Sequence, residues 1–349
     1  MRRQRRSRRG RPHRRAPPVL SATASPVPSA PVAVGVDVGG TKILGVVLDL
    51  ATHEVVAERR APTPRGGQAV VDALAAVVRH LAEVVAPRPV VAVGVGVAGL
   101  VDRAGCLRYG PNLPGIVDLD VRGDLEAALA PDLPVAVTVD NDATTATWGE
   151  VALGAARGAT DAVFVALGTG IGGGVVIGGR VRRGAHGFAG ELGHVVVDPD
   201  GPPCPCGRRG CWERFASGSG LARLARDAAT AGRADAVIAL AGGDPDAVRG
   251  EHVTLAARAG DAEALAIIRD LAWWVALGVA GVVDVLDPEV VVIGGGLVVD
   301  AELLLDAVRA DVAEMIVGGH RRVPPRIVAA ELGDRAGAIG AALLAAEPA

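Results

Sequence analysis

The stretch VGVDVGGTKILGVVLDL (residues 34–50) is an apolar run interrupted by a glycine turn, and it returns in altered form as AVFVALGTGIGGGVVIGG (residues 162–179). In both, valine-rich segments of strand length flank closely spaced glycines, the pattern of a tight β-hairpin. A shift of 129 positions places Gly39 on Gly168, Gly45 on Gly174, and Val46 and Val47 on Val175 and Val176. Two related hairpins, each opening one half of the chain, predict an internal duplication of a strand-rich α/β unit. Chance similarity between glycine-rich hairpins is the competing explanation.

Outward from these hairpins the pattern continues as α/β. Leu74, Val77, Val78, Leu81, Val84 and Val85 fall at i, i+3, i+4 spacing and predict a helix over 71–85. Residues 90–102 read as a buried strand ending in a glycine loop. Residues 133–154 read as a strand that turns into a helix at Asn141 and Asp142, either of which can cap it. A long helix is expected over 261–286, broken by Asp287 and Pro288. A strand at Val290–Ile293 then leads into Gly294, Gly295 and Gly296. Three glycine loops thus follow strands and are expected to face one cleft between the halves.

Composition supports two cores in 349 residues, built from Ala, Val and Leu, since only eight residues are Phe, Trp or Tyr. The net charge of −3 conceals an asymmetry. Residues 1–31 hold nine arginines and no acid, and without them 27 basic residues face 39 acidic ones. An acidic body argues against nucleic acid as the main ligand. The Arg/Pro/Ser-rich tail is expected to be disordered, able at most to contact nucleic acid weakly. Its prolines exclude the apolar run of a secretory signal. The most apolar stretch, residues 271–283, is too short for a bilayer at thirteen residues. Cys204, Cys206 and Cys211 crowd into eight residues, which suggests a metal site in a reducing, cytoplasmic setting.

Three constellations carry chemistry. The turns DVGGTK and GTGIGGG allow backbone N–H groups to converge on phosphate; the first adds the Thr41 hydroxyl and Lys42, the only lysine in the chain. Asp37 precedes that turn, as a carboxylate near phosphate-bound Mg²⁺ would, or simply as a turn-capping residue. Asn141–Asp142 suits a general base held at a helix start, although from local sequence alone ordinary N-capping is the better explanation of the pair. His194 with Cys204, Cys206 and Cys211 supplies four ligands for a closed tetrahedral zinc site, read as structural. Cys106 stands apart as an apolar residue, and His186 as a surface loop histidine.

DVGGTK, PNLPG, DNDAT, GTGIGGG, GELGH, CPCGRRGCWE and IGGGL together resemble the ROK family of sugar kinases and sugar-responsive repressors, from about Val32 to the C-terminus. The resemblance implies a duplicated actin-like/hexokinase-like (ribonuclease H-like) α/β fold with two domains around a cleft. It implies a tail over 1–31, a small domain over 32–140 completed by a C-terminal helix at 333–347, and a large domain over 141–332. It makes Asp142 the base that deprotonates a sugar hydroxyl. Asn112, Asn141, Glu191, His194 and Glu213 would hold other hydroxyls, with Gly99 in a loop over the sugar. Asp37 would sit near Mg²⁺. Gly39, Gly40, Thr41, Lys42, Gly168, Thr169 and Gly170 would lie near the phosphates of ATP, and Gly294, Gly295 and Gly296 near adenosine.

Within the family, PNLPG, GVAGLVD and the zinc motif point to glucose as substrate. Fructose, mannose or N-acetylmannosamine are the alternatives, and polyphosphate is an alternative donor. A sugar-responsive regulator is a further reading, and the roughly 31 residues before the first strand do not compose a helix-turn-helix. The family also implies a homodimer or homotetramer, and the shortness of the apolar stretch at 271–283 predicts no membrane partner. Where it often has Glu before Asn-Asp and Asn after the next Ala, this chain has Asp140 and Thr144, substitutions expected to loosen the surroundings of the base.

Overall fold

Strands β1 (Val32–Val38) and β2 (Lys42–Asp49) form the expected hairpin, antiparallel and buried along nearly their whole length. β3 (Val55–Pro62) extends it on one side. The parallel strands β4 (Val90–Val97) and β8 (Val137–Asn141) extend it on the other, giving the order β3-β2-β1-β4-β8. The second sheet repeats this arrangement. β9 (Ala162–Leu167), β10 (Ile171–Ile177) and β11 (Arg180–Val181) are antiparallel neighbours, and β12 (Val290–Gly294) and β13 (Arg326–Ala329) add in parallel, in the order β11-β10-β9-β12-β13. The duplication legible in the glycine spacing is a duplication of topology. A small sheet of β5 (Leu100–Val101), β6 (Leu107–Tyr109) and β7 (Val117–Leu119) follows β4. This computed structural model describes residues 30–113, 115–297 and 301–347, so nearly all of the Arg-rich segment lies outside the described residues.

Helix α1 (Gly67–Val85) begins four residues before the expected start. It buries Leu74, Val77, Val78 and Leu81 against the first sheet beside α2 (Val121–Leu129). The other face of that sheet is covered from the far end of the sequence. Helix α10 (Ala336–Ala346) packs on β1 and β4 and crosses α3 (Asp142–Ala152). Its Ala/Gly composition is what permits this approach. A Cβ on Gly35 or Gly94 would collide with the carbonyls of Ala338 and Ala341, and one on Gly340 with that of Thr145. Glu150, fully buried on α3, accepts N–H bonds from Ala155, Glu331 and Leu332 at 2.8–3.1 Å, tying α3 to the turn before α10.

The second sheet is covered by α4 (Glu213–Ala216), α5 (Gly218–Thr230), α6 (Asp235–Leu240), α7 (Gly250–Arg258), α8 (Ala262–Leu286) and α9 (Ala301–Met315), whose side chains form the largest core. The helical span of α8 is nearly twice the thirteen-residue apolar stretch at 271–283 that it contains. At 25 residues it is long and apolar enough to cross a bilayer by length and composition, but Ile267, Leu271, Val275, Val279 and Val283 are buried within this core.

Candidate active site

The end of β8 and the start of α3 put a carboxylate at a fixed point. Asn141 is the N-cap: its Oδ1 accepts the Thr144 N–H at 3.0 Å. Its Nδ2 donates to the Gly99 carbonyl and to Asp142 Oδ1, both at 3.0 Å. The Ala143 N–H adds a second bond to the same oxygen at 2.9 Å. Capping therefore falls to Asn141, and among the described residues Asp142 Oδ2 has no hydrogen-bond partner. Burial raises the Asp142 carboxyl above its ordinary range, against the Ala143 N–H and the Asn141 amide, which lower it. The surroundings are not loose. Thr144 is buried, and Asp140, 5% exposed, pairs with Arg183 Nε at 2.5 Å.

Asp37 lies near the end of β1, against the first turn of α10, where a Cβ on Gly337 would come within 2.9 Å of its Cγ. Its carboxyl is pushed up to about 7, first by burial and then by the Asp142 charge; Lys42 opposes this and Asp334 adds to it. A divalent cation beside Asp37 would favour its ionised form against both causes. Lys42 Nζ is 3.4 Å from Asp334 Oδ2, which also accepts from Arg60 at 2.8 Å. A Cβ on Gly40 would lie 2.5 Å from the Asn112 carbonyl oxygen, so Asn112 packs beside the DVGGTK turn.

The cysteine loop is held by Trp212, whose Nε1–H donates to the Trp274 carbonyl at 2.7 Å and whose ring lies against Gly278 of α8. Cys211 and Glu213, on either side of Trp212, are thereby anchored. The ligand atoms of His194, Cys204, Cys206 and Cys211 lie within 4.8 Å of one another. Cys206 Sγ is 3.5 Å from Cys211 Sγ, and Cys204 Sγ is 3.8 Å from His194 Nδ1. Tetrahedral zinc with bonds of about 2.3 Å to sulfur and 2.0–2.1 Å to nitrogen needs edges of roughly 3.5–3.8 Å, so the four residues fit the ion. His194 presents its opposite edge, Nε2, to Glu191 Oε2 at 3.8 Å. Desolvation, then the Asp142 and Glu213 charges, raise Glu191, while His194 lowers it. Glu213 Oε1 is 3.8 Å from His194 Nδ1, and Oε2 accepts the Ile171 N–H at 3.4 Å, joining the cysteine loop to the GTG turn.

The glycine loops divide into two kinds. A Cβ on Gly170 would meet only the tip of the Glu213 side chain, Oε2, at 2.5 Å, whereas Gly295 is required by packing, since a Cβ there would meet the Leu167 carbonyl oxygen at 2.5 Å. Gly39, Gly168 and Gly296 are not: a Cβ there would meet nothing nearer than 3.7 Å, and none has a positive φ. Gly39 and Gly168 form one of the pairs matched by the 129-residue shift. Gly294 pairs with Ala166, which places the third loop beside the GTG turn, where Gly218 at the start of α5 donates to the Gly168 carbonyl at 2.8 Å. Reading the sequence did not single out Arg183, Asp334, Glu150 or Gly337. Only the isolated charge of Glu150 in a run of small residues hinted at any of them.

Two duplicated sheets, a carboxylate at a helix start and a Cys₃His cluster beside it define the class, and the comparison with known proteins agrees. The chain belongs to the ROK family, whose profile matches residues 33–347. It is similar to a glucokinase of Streptomyces coelicolor, 41% identical over 323 residues that cover 90% of this chain and 98% of the relative. It is also similar to the structure of a ROK family glucokinase from Streptomyces griseus in complex with glucose and AMPPNP, with 38% identity, a TM-score of 0.78, and coverage of 90% and 99%. A ROK family transcriptional regulator, homologous to the E. coli MLC protein, shares the fold at a TM-score of 0.78 with 23% identity, covering 91% of this chain and 78% of its own.

Proposed function

We propose that this protein phosphorylates glucose at the expense of ATP. The observation that carries the reading is the fixation of Asp142 through Oδ1 alone, beside Asp37 and Glu191, whose charges couple to it. Asp142 accepts the proton of the 6-hydroxyl, and that oxygen bonds to the γ-phosphorus in line as the bond to the β-phosphate oxygen breaks and ADP leaves. Asn141 fixes the base and, with Asn112, Glu191, His194 and Glu213, binds the remaining hydroxyls under the loop that carries Gly99. Gly39, Gly40, Thr41, Lys42, Gly168, Thr169 and Gly170 receive the phosphates, and Gly294 to Gly296 the adenosine. The open space at Gly39 and Gly168, unexplained by packing, supports a close approach of phosphate to backbone. Mg²⁺, when bound near Asp37, neutralises phosphate charge. Zinc on His194, Cys204, Cys206 and Cys211 holds Glu191, His194 and Glu213 in register.

The small domain is taken as residues 32–140 with the helix at 333–347, and the large domain as 141–332; the packing of α10 on the first sheet supports this division. Family resemblance supports a homodimer or homotetramer, and the free thiol cluster supports a cytoplasmic setting. A panel of glucose, fructose, mannose and N-acetylmannosamine, each with ATP and with polyphosphate, tests the reading with sugar phosphate as readout. Glucose with ATP is expected to give the highest kcat/KM. Absence of any sugar phosphate with ATP would sink it.

A further inference from the structure

Asp140 is a nearly inaccessible carboxylate that proton transfer does not use. It lies in β8 immediately before Asn141, the last residue of the strand, and accepts the Asn141 N–H at 3.1 Å. Its Oδ2 is bound by Arg183 from the loop after β11, and Arg103 adds a favourable charge from the β5–β6 hairpin. Arg103 itself grips that same loop, donating from Nε and Nη2 to the Gly184 carbonyl at 2.9 and 2.5 Å. The loop is closed by the Ala189 N–H on the Arg183 carbonyl at 3.1 Å, immediately before Gly190 and Glu191. Gly187 comes so close to the hairpin that a Cβ would lie 2.6 Å from the Val101 carbonyl oxygen. Three chain segments therefore meet at one buried carboxylate: the strand that carries Asn141 and Asp142, the hairpin that follows Gly99, and the loop that leads to Glu191 and His194.

We infer that Asp140 and Arg183 are a positioning pair for phosphoryl transfer, setting the separation between the base at Asp142 and the sugar-binding loop at Glu191–His194. The inference rests on the kinase reading above. A buried ion pair contributes little net stability, because desolvation offsets the attraction. Geometry is a different matter: a displacement of about 1 Å between reacting groups can cost on the order of 100-fold in rate. Asp140, one methylene shorter than Glu, is matched to an Arg that reaches it from the loop.

The test uses the full chain with Arg183→Gln, Arg183→Lys, Asp140→Asn and the double variant Asp140→Asn/Arg183→Gln, which replaces the charges with a neutral hydrogen-bonding pair and guards against simple unfolding. Arg183→Gln is expected to raise the glucose KM and lower kcat by about 10- to 100-fold together, with the ATP KM unchanged and partial recovery in Arg183→Lys. Hydrogen exchange over residues 184–194 is expected to accelerate in Arg183→Gln and in the double variant. A loss confined to the active fraction, with both KM values unchanged, overturns the inference, as does unaltered exchange in that segment. Wild type inactive on every sugar overturns the kinase reading instead, and the exchange measurement still decides whether the pair couples the two segments.

Discussion

The carboxyl of Asp37 rests against the backbone of Gly337, three hundred residues further along the chain, where a side chain would come within 2.9 Å of its Cγ. The contact helps to remove Asp37 from water, and with the Asp142 charge it puts the folded-state pKa at about 7, against 3.8 for the free group. A pKa raised on folding means that the protonated form is favoured in the native state. The associated stability is fully present below pH 3.8 and is lost as pH rises through 7.

Asp37→Asn is therefore expected to flatten the decline in Tm of metal-free protein between pH 4 and pH 8, raising stability at pH 8 by about 1–2 kcal/mol after discounting for partial exposure. Thermal unfolding across that range checks it. Identical pH slopes in wild type and variant would count against the burial of this charge.

Asp142 must be ionised to accept a proton, and burial holds its carboxyl above the usual carboxylate range. The kcat/KM for glucose should rise with pH along an acidic limb displaced above that of a free aspartate, then level off. Asp142→Asn should abolish the limb and lower kcat by about 10²- to 10⁴-fold. Turnover near the wild-type value in a coupled assay would remove Asp142 from its role.

Cys206 is the exposed member of the cysteine cluster, so its loss perturbs packing least. Cys206→Ser should lower bound zinc per chain, measured by elemental analysis, and raise the glucose KM by about tenfold through Glu191 and His194. Equal metal content in both proteins, or none in either, would end the zinc proposal.

Gly39→Ala and Gly295→Ala separate a glycine proposed to face phosphate from one required by packing. The first adds a methyl group to open space, the second drives one against the Leu167 carbonyl at a φ of +90°. Gly39→Ala should leave Tm within about a degree and raise the ATP KM by about tenfold. Gly295→Ala should lose about 1–3 kcal/mol of stability. If Gly39→Ala instead unfolds the protein with ATP kinetics intact, that turn is structural.

Lys42 carries a compact charge on a flexible stem, held at 3.4 Å from the half-exposed Asp334. An exposed pair of this kind is weak and readily exchanged for a phosphate partner. Lys42→Arg is expected to raise the KM for ATP by about threefold or more while the glucose KM stays put. Steady-state kinetics with each substrate varied in turn would show it, and unchanged ATP kinetics would reduce Lys42 to a compositional accident.

Much of this protein is legible residue by residue. The hairpins at 34–50 and 162–179, their glycine register and the spacing of Cys204, Cys206 and Cys211 follow from chain-local rules: strand period, turn conformation and ligand density. Those rules are sufficient for the duplicated α/β class and for a metal loop. They do not extend to α10, whose Ala/Gly run is buried on several sides and lacks the one-faced pattern that marks a surface helix. Nor do they distinguish Asn141 from Asp142 as the cap; the Thr144 N–H and the Gly99 carbonyl decide that in space. The raised pKa of Asp37, the pairing of Asp140 with Arg183 and the tether on Lys42 likewise arise only in the tertiary structure. Desolvation and the attraction or repulsion between charges depend on which distant segments converge and how far water is excluded between them.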